Sequence, residues 1–160
     1  MEKPFIEDQT FQGISFAECR FGNCDLSMAN LTNTTLRDIR FLDCKMMGLQ
    51  FEKCNKLLLS VSFKNCRLNL SSFYKLDLKH TKFTDCHLQE VDFIECDLSG
   101  STFENCDLSG AAFANSILEK VDFRTAYGFS IDPELNKIKK AKFSIEGIRG
   151  LLYQYDIEVE

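Results

Sequence analysis

The chain has 160 residues, 44% of them hydrophobic, and a formal net charge of −5 at pH 7. This length fits one domain with a single continuous core. No segment approaches the ~20 apolar residues of a transmembrane helix, so the sequence argues against a membrane-spanning protein and against a membrane partner.

A large apolar residue recurs at every fifth position as far as residue 123. This period fits neither the helical 3.6 nor the extended 2.0, so the chain must run straight briefly, turn a corner and run straight again. Such repetition predicts a solenoid, in which each coil contacts its neighbours. The centres of the first run are Ile6, Phe11, Phe16, Phe21, Leu26, Leu31, Leu36, Phe41, Met46 and Phe51. The centres of the second run are Leu58, Phe63, Leu68, Phe73, Leu78, Phe83, Leu88, Phe93, Leu98, Phe103, Leu108, Phe113, Leu118 and Phe123.

The residue two positions before each centre is mostly small or β-branched, as at Ile14, Cys96 and Val121. Alternation in a short extended stretch points both this residue and the centre inward. The residue between them is mostly polar, as at Arg20 and Asp97, and is predicted to point outward.

Several five-residue units resemble the pentapeptide-repeat family, whose pattern is A(D/N)LXX. The units that carry the resemblance are Cys24-Asp25-Leu26-Ser27, Ala29-Asn30-Leu31-Thr32, Cys96-Asp97-Leu98-Ser99-Gly100 and Cys106-Asp107-Leu108-Ser109-Gly110. The resemblance covers roughly residues 6–125. It implies an all-β fold, a right-handed quadrilateral β-helix with four five-residue faces per coil.

A period of twenty residues tests that implication directly. With two extra residues inserted near 55–57, equivalent positions fall into columns in which phenylalanine and leucine alternate around a narrow core, as close packing requires. The first phenylalanine column is Phe21, Phe41, Phe63, Phe83, Phe103 and Phe123. The second column is Phe11, Leu31, Phe51, Phe73, Phe93 and Phe113.

All eight cysteines fall at the inward small position, and five of them stack in one column. Stacked thiols one strand spacing apart lie further from each other than the ~3.8 Å that bridged Cβ atoms prefer, so we expect reduced cysteines that fill the core. The N-terminal residues also lack the basic start and apolar run of a signal peptide. Both observations predict a reducing, cytoplasmic location. The stacked set is Cys24, Cys44, Cys66, Cys86 and Cys106.

The C-terminal part departs from the pattern, and we divide the chain into a β-helix of residues 1–143 and a C-terminal cap of residues 144–160. Ser144 resembles a helix N-cap before a short helix over residues 145–153, and residues 156–160 alternate like a strand. Two interpretations stay open: a cap, or a cap that also forms a homodimer, as the resemblance to gyrase-interacting members implies. The candidate dimer residues are Ile145, Ile148, Leu151 and Leu152.

Charge is segregated along the chain. Residues 85–122 hold nine acids against Lys120, a net of −8, whereas residues 37–82 hold ten bases and four acids, a net of +6. The candidate partner-binding residues form an acidic side, with Arg20, Arg40 and Lys82 on the opposite side of the coil. The acidic side is Asp77, Glu90, Asp92, Glu95, Asp97 and Glu119.

The sequence offers no catalytic, cofactor-binding or metal-binding constellation. His80 and His87 fall at outward positions, no Cys-x2-Cys pair occurs, and the inward cysteines leave no nucleophile beside a base. Direct nucleic-acid binding is not expected either, because Tyr74 alone among the aromatics is plainly outward in the basic stretch. We therefore expect a binding protein that is not an enzyme.

Two hypotheses for its function follow. The resemblance to the quinolone-resistance members implies a DNA mimic that acts on DNA gyrase or another topoisomerase through the acidic side, since regular negative charge resembles duplex phosphates. Family members that protect gyrase carry larger projecting loops than this two-residue insertion. The alternative is a general protein-interaction scaffold that uses outward apolar residues. Those residues are Leu42, Met47, Leu57, Leu59 and Tyr74.

Overall fold

The computed structural model describes residues 9–160, and its short strands follow the five-residue period. The predicted centre Ile6 lies outside the described residues. The seven strands are β1 (Ser15–Ala17), β2 (Arg20–Gly22), β3 (Thr35–Arg37), β4 (Ile39–Leu42), β5 (Val61–Lys64), β6 (Lys82–Thr84) and β7 (Thr102–Glu104). Three 3-10 helices span Phe51–Lys53, Gly147–Leu151 and Tyr153–Tyr155.

Every strand pairs in parallel with the equivalent strand one coil away. The larger sheet has the order β2-β4-β5-β6-β7, and β1 pairs with β3. Isolated parallel bridges continue the pairing beyond the named strands, as far as the bridge between Asp122 and Lys142. The predicted β-helix is therefore confirmed. On the two faces without named strands, successive coils are joined by single parallel bridges.

The phenylalanine columns form the centre of the core. Phe83 lies between Phe63 and Phe103, with ring centroids 5.1 and 4.8 Å apart and nearly parallel planes. The Phe73 ring of the second column meets Phe83 edge-on, at 6.0 Å and 87°. Stacking within a column and edge-to-face contact between columns are the two arrangements that aromatic rings prefer, so the core is both dense and regular.

The corners explain why Asn, Asp and Gly recur two residues after a centre. The chain adopts positive φ at these positions, for example 55° at Asn23, 53° at Asp43 and 70° at Gly100. Side chains with a short polar group tolerate this left-handed conformation, and glycine adopts it without penalty. Where the corner residue is Asn, Asp or Gly it thus suits the backbone conformation, whereas residues such as Lys75 and Glu95 adopt the same positive φ without that advantage.

Serines at the inward small position are buried but hydrogen-bonded. The hydroxyls of Ser71, Ser101 and Ser116 donate to main-chain carbonyl oxygens of the preceding coil at 2.7–2.8 Å. A buried hydroxyl without a partner would be costly, so each donor bond is what permits serine there. The polar character of these positions is thus compatible with the core.

The cysteines occupy the same inward position and are present as thiols. Six are buried, whereas Cys19 and Cys24 near the N-terminal end of the described chain are half-buried. Burial raises the pKa of Cys54 and Cys96 to about 12. Contact with the Cys106 thiol, together with burial, also raises the pKa of Cys86 to about 12. The thiols of Cys54, Cys86 and Cys96 therefore stay protonated at neutral pH, as core filler requires.

Two predictions in the insertion are wrong. The strand register is 22 residues between Phe41 and Phe63 but 20 elsewhere, and the main-chain hydrogen bonds place the two extra residues between Asn55 and Ser60. Leu58, predicted as an inward centre, is 61% exposed with φ 64°, because the chain turns there. Leu59 packs against the core in its place, so its assignment as an outward residue is also wrong.

Three further expectations are corrected at the ends of the described chain. Ile14, predicted inward, is 44% exposed. The Ser144 hydroxyl accepts a hydrogen bond from the Gly147 N–H at 2.9 Å, but the helix that follows is 3-10 and begins at Gly147. A Cβ on Gly150 would lie 2.4 Å from the Phe129 carbonyl oxygen, so close packing of this segment on the last coil sets its shape. Residues 156–160 form no strand.

Candidate functional site: the acidic side

Asp77 and Asp97 form successive rungs on one face of the β-helix. A parallel bridge pairs the two residues, and the Lys79 ammonium lies between their carboxylates, 2.9 Å from Asp77 and 3.1 Å from Asp97. Partial burial alone would raise the pKa of Asp97, but hydrogen bonds from the Ser99 N–H and hydroxyl and the nearby ammonium hold that pKa below its usual value. The Asp97 carboxylate is therefore ionised at neutral pH, and both carboxylates are ion-paired with Lys79.

Asp92 and Glu95 lie on the adjoining face and the corner after it. The Asp92 carboxylate accepts a hydrogen bond from the Ile94 N–H at 2.7 Å, which fixes it against its own turn. Glu95 has φ 55° at the corner, lies 3.2 Å from the Lys75 ammonium and accepts a hydrogen bond from the Tyr74 hydroxyl at 3.2 Å. Lys75 also lies 4.9 Å from the centre of the Tyr74 ring, so this corner is a small ordered cluster.

Glu90, at a corner, and Glu119, one residue before a corner, complete the acidic side. Glu90 has φ 57°, and its side chain lies beside Gly110 of the next coil. The Glu119 carbonyl oxygen accepts a hydrogen bond from the Gly100 N–H, which places Glu119 one coil beyond Ser99. The structure thus brings Asp92, Glu95 and Asp97 onto adjoining faces as predicted, with Glu90 and Glu119 at their margins.

Two lysines neutralise part of the acidic side, which the order of charges along the sequence did not indicate. Of its six carboxylates, those of Asp77, Glu95 and Asp97 pair with Lys75 or Lys79. Within residues 9–160, no lysine or arginine nitrogen lies within 4.0 Å of the carboxylates of the other three, Glu90, Asp92 and Glu119. A spacing rule could have found one pair, because Lys75 and Glu95 are separated by the twenty residues of one coil.

The C-terminal candidate residues are divided between core and surface. Leu151 is buried in the core cluster, whereas Ile145 is 87% and Ile148 49% exposed. Leu152 is half-buried. The structure therefore assigns Leu151 to the cap, and the homodimer stays a prediction that depends on Ile145 and Ile148.

The described residues show no group of three or more His, Cys, Asp and Glu side chains placed to hold a metal ion. None of the helices in residues 9–160 has the length and apolar character needed to cross a bilayer.

The sequence matches two family models. The model for the pentapeptide repeat region matches residues 56–127, and the model for pentapeptide repeats matches residues 7–38 and 24–55. No curated protein matches the sequence.

The comparison with solved structures finds one that shares the fold at low sequence identity and others that superpose less well. The full-length structure of QnrB1, a plasmid-mediated fluoroquinolone resistance protein, superposes with a TM-score of 0.73 at 17% identity, over 92% of this chain and 85% of that chain. HetL, a pentapeptide-repeat protein involved in heterocyst differentiation regulation from Nostoc sp. strain PCC 7120, is 15% identical with a TM-score of 0.35, over 88% and 91% of the two chains. The two family models together cover most of the chain and QnrB1 shares its fold: this chain belongs to the pentapeptide-repeat family.

Proposed function

We propose that this protein is a non-enzymatic binding protein that acts on DNA gyrase or a related topoisomerase by presenting its acidic side to a surface that holds duplex DNA. The observation that carries the proposal is the cluster of carboxylates on adjoining faces of one coil, at Asp92, Glu95 and Asp97, with Asp77 paired to Asp97 from the coil before. A cluster of like charge on a rigid rod attracts a basic groove over long range. The fold shared with a fluoroquinolone resistance protein supports the same target.

The ion pairs define which carboxylates contribute most to such attraction. Lys75 and Lys79 offset the charge of Glu95, Asp77 and Asp97, so the net negative field comes mainly from Glu90, Asp92 and Glu119. A basic surface can bind the carboxylates of these three residues only if it displaces Lys75 and Lys79 from them, which costs free energy. We therefore expect moderate affinity that falls steeply as salt is added, because exposed charges are screened within about 8–10 Å.

The test is gyrase supercoiling, and its inhibition by a fluoroquinolone, with and without the protein. The double variant Glu90→Lys with Glu95→Lys reverses two exposed carboxylates of the acidic side. Its matched control, Glu104→Lys with Glu146→Lys, reverses two exposed carboxylates elsewhere and changes the net charge equally. Loss of the effect in the first variant alone supports the proposal, whereas equal loss in both, or no effect of the unmodified protein, contradicts it.

A second candidate function, a general interaction scaffold, is favoured by exposed apolar residues. Leu57 and Leu58 in the insertion are 71% and 61% exposed, and Met28 and Leu70 lie exposed at equivalent corners two coils apart. Isolated exposed apolar residues such as Met28 and Leu70 are common, but the adjacent pair Leu57 and Leu58 suits a protein partner. If gyrase is unaffected and another protein partner is identified, replacement of Leu57 and Leu58 by serine should weaken the binding of that partner.

We also propose a cytoplasmic location. Six buried thiols without disulfides are compatible with a reducing compartment. Fractionation of cells that express a tagged chain tests this directly.

A further inference from the structure

A row of cations lies on the outward face of the sheet formed by β2, β4, β5 and β6. The strand register pairs Arg20 with Arg40, Arg40 with Ser62, and Ser62 with Lys82. Rungs of a parallel sheet are spaced by ~4.8 Å, so the three cations lie on one line that spans about 15 Å. This face is distinct from the acidic side.

These three cations lack the counter-ions that other charged rungs have. Elsewhere Lys45 pairs with Asp25 at 3.4 Å, and Arg124 pairs with Asp122 at 2.7 Å. For Arg20, Arg40 and Lys82, no carboxylate of residues 9–160 lies within 4.0 Å. Like charges directly opposite each other on neighbouring strands destabilise a sheet, so the fold gains nothing from Arg20 beside Arg40.

The row runs along an open trough of about 610 Å³. Hydroxyl groups of Ser60 and Ser62 and the imidazole of His80 also line it. Two acids lie at its margin, and both are engaged: Glu18 lies 3.9 Å from Arg37, and Asp38 accepts a hydrogen bond from the Ser60 hydroxyl at 3.0 Å. Asp38 also has φ 53°, a left-handed corner conformation that aspartate tolerates, so the backbone gives a structural reason for aspartate at this position.

We propose that this basic trough binds a small ligand that carries two or more linked phosphate groups. The planar guanidinium groups of Arg20 and Arg40 each suit a bidentate contact with phosphate oxygens, and Lys82 adds a point charge two rungs beyond Arg40. The lining has no Phe, Tyr or Trp on which a base could stack, so recognition is directed at the phosphates.

The proposal is independent of the acidic side and of any topoisomerase. Inorganic tripolyphosphate is the probe, titrated by isothermal calorimetry into the whole protein at about 50 mM and then about 300 mM salt, which shortens the range of the charges. We expect saturable one-to-one binding that weakens at the higher salt. Orthophosphate should bind at least about tenfold more weakly, because it spans only one pair of cations.

The decisive variant is Arg40→Ser. Serine is already the residue at the paired position on the next rung, Ser62, so the sheet accommodates it there. Its control is Lys142→Ser, an exposed lysine on the same face that bridges Asp122 outside the trough. We expect Arg40→Ser to weaken tripolyphosphate binding by about tenfold or more, the loss of one charge-assisted contact, and the control to leave it unchanged. Circular dichroism checks that both variants keep the fold.

Three results would overturn the proposal. The first is no saturable binding of tripolyphosphate at the lower salt. The second is equal weakening by Arg40→Ser and Lys142→Ser, which would show nonspecific attraction. The third is equally tight binding of citrate, which would show that the trough attracts any multivalent anion and does not select phosphate.

Discussion

The middle coils and the last coil, next to the C-terminal cap, bury aromatic residues in different ways. In the middle, Phe83 and Phe103 stack with an interplanar angle of 3°, and both are fully buried. In the last coil, Phe129 meets Phe143 at 49°, and Phe143 is only partly buried. Repetition gives every middle position the same neighbours above and below, whereas the last coil must be closed by residues that follow no repeat. We therefore expect substitutions in the middle coils to lower the free energy of unfolding more than substitutions near the C-terminal cap.

The largest effect should come from a middle phenylalanine. Phe83→Ala should lower the free energy of unfolding by ~3–5 kcal/mol through the cavity it leaves between two stacked rings. Phe143→Ala should cost roughly half as much, since only Phe123 stacks on it and solvent already reaches it. Urea unfolding followed by circular dichroism measures both. Equal costs would show that the last coil is as tightly packed as the middle.

A smaller loss is expected at the cap itself. Leu151 is the one buried residue of the 3-10 helix Gly147–Leu151, so Leu151→Ala should cost about 2–3 kcal/mol. Ile145→Ala, in the same segment but 87% exposed, should change stability by less than about 0.5 kcal/mol. Thermal unfolding compares the two variants. A neutral Leu151→Ala would mean that the cap does not stabilise the coils.

The thiols of the middle coils should make the protein sensitive to alkali. Burial raises the pKa of Cys96 from 9.0 to about 12. The protonated Cys96 thiol therefore contributes its full stabilisation below pH 9, and this contribution is lost as the pH rises towards 12. The loss should be ~1.4 kcal/mol per pH unit for each such thiol. Cys96→Ser is a matched variant, because Ser116 occupies the equivalent position one coil later and donates to the carbonyl of Phe93. Its urea midpoint should fall less between pH 9 and pH 10 than that of the unmodified protein.

A weaker effect of opposite sign is expected in acid. The pKa of Asp97 lies below its ordinary 3.8, so the carboxylate stabilises the fold above that pH and the contribution is lost as pH falls through the depressed value. Asp97→Asn should cost ~0.5–1.5 kcal/mol at pH 7. The difference from the unmodified protein should shrink below pH 4, as measured by urea unfolding across pH. A constant difference down to pH 2 would contradict this account.

The last prediction concerns assembly and should leave stability almost unchanged. Ile145→Asp with Ile148→Asp places charge on the exposed part of the cap. If the cap forms the predicted homodimer, light scattering should show a dimer for the unmodified protein and a monomer for the variant. A monomer in both cases, at about tens of micromolar, would leave the segment as a cap alone.

The sequence by itself determined the coil, the columns and the buried thiols. An apolar residue every fifth position can be buried only if the chain turns a corner between successive centres, so the stacking of Phe63 on Phe83 followed from spacing alone. The acidic residues could be assigned to faces for the same reason. Periodicity carries this information because every coil repeats the same backbone hydrogen bonds.

Only the tertiary structure decided what happens where the repeat is broken or where coils meet. Whether Leu58 or Leu59 faces inward depends on which main-chain bonds the inserted residues can form with the coil before, and no local pattern contains that. The 3-10 form of the cap depends on Phe129 packing directly on Gly150. The charge of the acidic side depends on Lys79, which lies between carboxylates of two successive coils. In each case the deciding contact joins residues that are distant in sequence and adjacent only after folding.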